Sequence, residues 1–152
     1  MNIIDEQSEQ VDLDALVSIG ERALSEEDVP SETELTVTLV SDDRIFELGR
    51  EHLGKTGPTD VLSFPIEQLE PGVPPAAIVG GPPPMIGDVV IAPAYVRTQA
   101  QEFGVTFEEE MALMLVHGIL HLLGYDHVSE ADAERMEDRE RHILGLFGME
   151  RR

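Results

Sequence analysis

His117 and His121 stand four residues apart in the string M-A-L-M-L-V-H-G-I-L-H-L-L-G-Y-D-H, and His127 follows six residues later. Four residues advance an α-helix by about 400°, so two imidazoles at this spacing project from one face, a turn apart. Gly124 ends such a helix, and a turn after it can fold His127 back over the same face. Three neutral imidazoles around one zinc leave the fourth tetrahedral position open, which distinguishes a catalytic site from a closed structural one. The expected cofactor is therefore one Zn2+ ion on His117, His121 and His127. A lone histidine on an apolar helix is ordinarily a core residue satisfied by one hydrogen bond. Two polar rings in one uncharged helix, with a third arriving beside them, carry a desolvation cost that a bound metal offsets. His52 and His142 lie among charged residues and read as ordinary solvated side chains.

The ligand spacing equals that of the metzincin protease pattern H-E-x-x-H-x-x-G-x-x-H. That chemistry needs a glutamate after the first histidine as general base, and Gly118 cannot accept a proton. Peptide hydrolysis by this route is disfavoured, though a protease-like hydrolase on the same triad stays an alternative. Asp126, directly before the third histidine, is a candidate for orienting water or an imidazole, and equally a turn-forming residue. Asp60 and Asp88 read chiefly as turn or structural residues that could touch the site. Thr59 and Ser63 are polar residues able to line a phosphate groove.

These side chains need elements to hold them. The T-F-E-E string at 106–109 forms a capping box, and Glu108, Glu109 and Glu110 suit the positive end of a helix dipole. From Met111 to Leu123 no side chain is charged, so this helix should lie buried at the centre, between a sheet and other helices. A further helix at 130–146, capped by Ser129, offers Met136, Ile143, Leu144 and Phe147 for packing and turns a dense Asp/Glu/Arg face outward. Upstream, residues 13–24 form a helix capped by Asp12, with Leu13, Leu16, Val17, Gly20 and Leu24 on one face. E-L-T-V-T-L-V at 34–40 alternates as a strand. Ser41 and Asp42 cap a helix to Leu53, with Ile45, Phe46 and Leu48 buried, closed by Gly54 and Gly57. V-L-S-F-P (61–65) and M-I-G-D-V-V-I-A (85–92) read as paired strands around a loop holding six of the ten prolines. A helix at 93–103 follows. The expectation is one α+β domain over 1–152, a mixed sheet around a buried central helix with flanking helices.

The chain has no cysteine, which excludes disulfides, thiolate zinc sites and a thiol nucleophile. Its start lacks the basic residues and apolar run of a signal peptide, and no apolar stretch is long enough to span a bilayer, so a soluble cytoplasmic protein with no membrane partner is expected. The net charge of −21 comes from 31 acids against 10 bases, of which only Lys55 is lysine. Such a surface repels polyanions at ordinary salt, so either the partner is not nucleic acid or the protein works at high ionic strength, where the Debye length shrinks to about 3 Å.

H-G-I-L-H-L-L-G-Y-D-H, with P-T-D-V-L-S-F-P and G-D-V-V-I upstream in that order, resembles the YbeY family of bacterial rRNA-maturation endoribonucleases. The similarity covers about 34–148. It implies a compact α+β fold, zinc on the three matching histidines, and single-strand-specific RNA cleavage in 3′-end maturation of small-subunit rRNA and in ribosome quality control. Implied partners are single-stranded rRNA, the small subunit and its assembly factors. Many members read L-N-R-E-Y-R before P-T-D; this chain reads L-G-R-E-H-L, so the arginine linked to nuclease activity is replaced by Leu53. Arg44, Arg50 and Lys55 gather in this stretch, and Arg50 or Lys55 is the candidate substitute cation. The metal would ionise a water that attacks the phosphodiester, or polarise the phosphoryl oxygen while the RNA 2′-OH attacks. A non-catalytic assembly factor with structural zinc is the remaining alternative.

Overall fold

Among the described residues nine elements follow one another: β1 (Asn2–Asp5), α1 (Leu13–Glu26), β2 (Glu34–Leu39), α2 (Asp42–Leu53), β3 (Val61–Pro65), β4 (Met85–Ile91), α3 (Pro93–Phe103), α4 (Phe107–Leu122) and α5 (Glu130–Gly145). The computed structural model describes residues 1–54 and 59–152, so Lys55 and the expected helix-closing Gly57 lie outside the described residues. Strand order is β1-β2-β4-β3, with β1 and β4 parallel to β2 and β3 antiparallel to β4, which makes the sheet mixed as expected.

The pleat sends alternate residues of β4 to opposite faces. Val89 and Ile91 join the main core with α1, α4 and α5, while Val90 packs with Leu62 and with Ile45 of α2 on the other face. Near the start of β4 the pairing with β2 slips from Glu34–Met85 to Leu35–Gly87, leaving Ile86 as an extra residue. This bulge turns Ile86 into the main core, and it requires glycine next to it. Gly87 has φ +133°, and a Cβ there would overlap the Phe64 carbonyl oxygen.

Helix α4 is the hub. The Thr106 hydroxyl accepts from the Glu109 N–H (3.1 Å) and the Glu109 carboxylate accepts from the Thr106 N–H (3.3 Å), closing the expected capping box. Its uncharged turns pack on β3 and β4 and are enclosed by α1, α3 and α5. Several expectations from the sequence are corrected by the structure. Phe46 and Phe147 are exposed rather than buried, because the contacts of α2 run through Ile45 and Leu48 and those of α5 through Met136, Ile143 and Leu144. On α1 the buried face is Leu16, Ile19, Gly20, Ala23 and Leu24, which leaves Leu13 exposed. Glu110, in the first turn of α4, is buried and paired with Arg152. The acidic face of α5 is likewise not wholly outward, since Glu140 is buried. An additional strand, β1, runs parallel to β2 at the sheet edge.

Candidate metal centre

The helical repeat of α4 places His117 and His121 side by side, with ring centroids 4.6 Å apart. The chain then leaves the helix through Gly124, whose φ is +98°. A Cβ at that position would overlap the Leu69 carbonyl oxygen, so the turn needs glycine both for its backbone angle and for the closeness of the proline-rich segment. This turn carries His127 to within 5.1 Å of the His121 ring and 5.7 Å of the His117 ring. Ligand atoms of the three histidines lie within 4.8 Å of one another.

Hydrogen bonds assign the rings. His121 Nδ1 lies 2.9 Å from the Tyr125 carbonyl oxygen, which only accepts, so Nδ1 carries the proton. His117 Nδ1 stands 3.2 Å from Oε1 of Glu140, whose other oxygen accepts from Arg151 Nε at 3.0 Å. Burial alone would raise the Glu140 carboxyl, but the hydrogen bonds and charges of His117 and Arg151 outweigh it and hold the group below the usual range. An ionised Glu140 makes His117 Nδ1 the donor. With both rings neutral, as ligation requires, the two Nε2 atoms present lone pairs to each other across 3.1 Å. Two lone pairs at that range repel, whereas a cation between them attracts both. Nitrogens on a tetrahedral zinc with bonds of about 2.0–2.1 Å stand roughly 3.3 Å apart, close to the spacing found. Burial, then the neighbouring His117 and His127, push His121 down to about 4, which keeps it neutral and able to ligate near neutrality. The donor set fits a divalent metal.

The histidines open onto a cavity of roughly 320 Å³ lined also by Leu53, Thr59, Asp60, Val61, Leu62, Ser63 and Pro65. Asp60, read from sequence chiefly as a turn residue, thus belongs to the site, and burial raises its carboxyl above the usual range. The Ser63 hydroxyl donates to the Gly118 carbonyl at 2.9 Å, which ties β3 to α4 under the histidines. Gly118 itself faces the sheet. A Cβ there would meet Val89 Cγ1 at 2.6 Å, so a glutamate at this position could not reach the metal as the protease base does.

Other candidates are placed differently. Asp126 is exposed, and its Oδ1 accepts from the His127 N–H at 2.7 Å, an interaction that shapes the turn bearing the third ligand. Asp88 lines a separate cavity on the opposite face of the sheet, with Arg44, His52 and Phe64. Arg50 is exposed with its guanidinium 5.9 Å from the Phe46 ring, and it does not line the histidine cavity; Leu53, one turn on, does. His142 is paired with Glu26 at 2.6 Å, away from the site. Glu140 and Arg151 escaped the sequence reading. One signal was present: Glu140 lies on the Met136, Ile143 and Leu144 side of α5, spaced by i+4 and i+3.

The chain is similar to known proteins over nearly its whole length. The family model Endoribonuclease YbeY matches residues 2–148. Proteins named Endoribonuclease YbeY from Bacillus cytotoxicus, Bacillus mycoides and Bacillus subtilis are 42%, 38% and 39% identical, over 86%, 99% and 85% of this chain and 83%, 97% and 82% of their own. A solution structure from Thermotoga maritima superposes with a TM-score of 0.60 at 30% identity, covering 96% of this chain and 90% of that one. Fold, histidine geometry and similarity over nearly the whole chain lead to one statement: this chain belongs to the YbeY endoribonuclease family.

Proposed function

We propose that this chain is a zinc-dependent endoribonuclease that cuts single-stranded RNA in the 3′-end maturation of small-subunit rRNA and in ribosome quality control. Its partners are then the small subunit and assembly factors, and its place of work is the cytoplasm. Among the described residues no helix is long and apolar enough to cross a membrane. The observation that carries the reading is the convergence of Nε2 of His117, Nε2 of His121 and the His127 ring at the mouth of a polar cavity, in a chain of this family.

His117, His121 and His127 would hold one ion, which supplies Lewis-acid activation for phosphodiester cleavage. Glu140 and the Tyr125 carbonyl fix the two half-buried rings, so their Nε2 atoms need no reorientation. Asp60, with its raised carboxyl, can hold or pass a proton beside the histidines. Leu53 and Val61 form an apolar wall of the cavity. Arg50, exposed on α2 a turn before Leu53, is the candidate cation for RNA phosphate once its side chain leaves the Phe46 ring, and Asp126 acts by shaping the His127 turn.

Digestion of single-stranded RNA and of casein, each with and without chelator, tests the reading. RNA cleavage that stops with chelator and returns with zinc is expected. Casein cleavage instead, or zinc that is essential for folding with no RNA cleavage at any salt, would overturn it. In the same assay Arg50→Ala should slow cleavage about tenfold or more, the worth of one charge-assisted phosphate contact; unchanged cleavage would remove Arg50 from the site.

A further inference from the structure

The segment after α5 turns back at Gly148, whose φ is +71°, and is pinned where the Met149 N–H donates to the Leu144 carbonyl at 3.1 Å. It then sends two arginines to two buried carboxylates. Arg152 grips Glu110 of α4 through Nε and Nη2 at 2.7 and 3.0 Å and lies 3.7 Å over the Phe103 ring. Arg151 reaches Glu140 Oε2 at 3.0 Å and Glu137 at 3.2 Å. Glu110 and Glu140 are each 1% exposed, so in the folded chain each depends on its arginine to compensate its charge.

The two pairs look alike but end differently. Glu110 makes no hydrogen bond to a histidine among the described residues, whereas Glu140 turns its remaining oxygen to His117 Nδ1. We propose that Arg151 is a positioning residue for the metal centre: by fixing Oε2 of Glu140 it holds Oε1 on His117 Nδ1 and keeps His117 Nε2 aimed at the ion. The inference rests on the metal reading of the three histidines. Without Arg151, a buried carboxylate flanked by Glu137 turns toward solvent, and the His117 ring loses the partner that sets its tilt. The Arg152–Glu110 pair, on the same segment and equally buried, serves as internal control.

Zinc affinity, measured by competition with a chromophoric chelator, separates positioning from general stability when melting of the metal-free proteins is recorded alongside. Arg151→Met should weaken zinc binding about tenfold or more, with Arg151→Lys recovering most of the loss. Arg152→Met should stay within about twofold of wild type while lowering the melting temperature comparably, as expected for a pair outside the ligand shell. Because Arg151 acts through Glu140, Glu140→Gln/Arg151→Met should bind zinc within about twofold of Glu140→Gln alone; this double variant also removes the buried charge if the single one does not fold. Equal affinity of Arg151→Met and wild type, or equal losses in Arg151→Met and Arg152→Met, would overturn the inference alone. A wild-type chain that binds no zinc would overturn the metal reading and the inference with it.

Discussion

Leu53 shows how much one side chain can decide at the residue scale. It is 44% exposed and forms part of the wall of the histidine cavity, where a cation would meet an RNA phosphate. Arg50 stands a turn earlier on α2 with its guanidinium over Phe46, so any help it gives requires the side chain to swing away from that ring. Leu53→Arg places a guanidinium at the cavity directly and at little cost, since the leucine is not a core residue. The variant should raise kcat/KM on a single-stranded oligoribonucleotide about tenfold, the worth of one charge-assisted phosphate contact. A folded Leu53→Arg protein that cleaves no faster would show that phosphate binding is already supplied elsewhere.

Between elements, the decisive joint is the turn from α4 to α5. Gly124 permits it, the Tyr125 carbonyl receives His121, Asp126 braces the His127 N–H, and Arg135 links Tyr125 to the proline-rich segment by donating to the Pro71 carbonyl at 3.1 Å. Gly124→Ala combines a positive φ with overlap on the Leu69 carbonyl, so it should cost about 1–3 kcal/mol of stability and weaken metal binding as well, measured by denaturant melts and zinc titration. Wild-type stability in that variant would contradict the account of the turn. Much of this joint was legible in sequence. Capping box, uncharged run, glycine stop and histidine spacing are all local signals, and each predicts its element independently. Strand β1 was not legible, because N-I-I-D is too short to show a period and its partner, β2, lies some thirty residues away. Glu140 stayed hidden for a related reason: in E-R-M-E-D-R-E-R-H it resembles its solvated neighbours, and only the return of the chain through Gly148 brings Arg151 onto it. Long-range ion pairs leave no local pattern.

For the whole molecule the governing quantity is the net charge of −21 on a protein whose proposed substrate is itself a polyanion. Several of its few arginines are engaged with its own carboxylates, Arg97 with Glu9, Arg139 with Glu27, Arg151 with Glu140 and Arg152 with Glu110. Repulsion of RNA should therefore be strong in dilute buffer and screened at high ionic strength, so cleavage should hold or rise as KCl is taken from low to molar concentration. A steady loss of activity over that range would mean that phosphate contacts by fixed cations dominate instead. Whatever the salt, the account stands on one arrangement of three imidazoles. Its most direct test is a zinc titration of the metal-free protein followed by the 15N shifts of the histidine rings. The account predicts saturation at one equivalent, with Nε2 of His117 and His121 and one ring nitrogen of His127 moving to the metal-bound range while Nδ1 of His117 and His121 stays protonated. Zinc that leaves His117 and His121 unshifted, or that binds through their Nδ1 atoms, would contradict it.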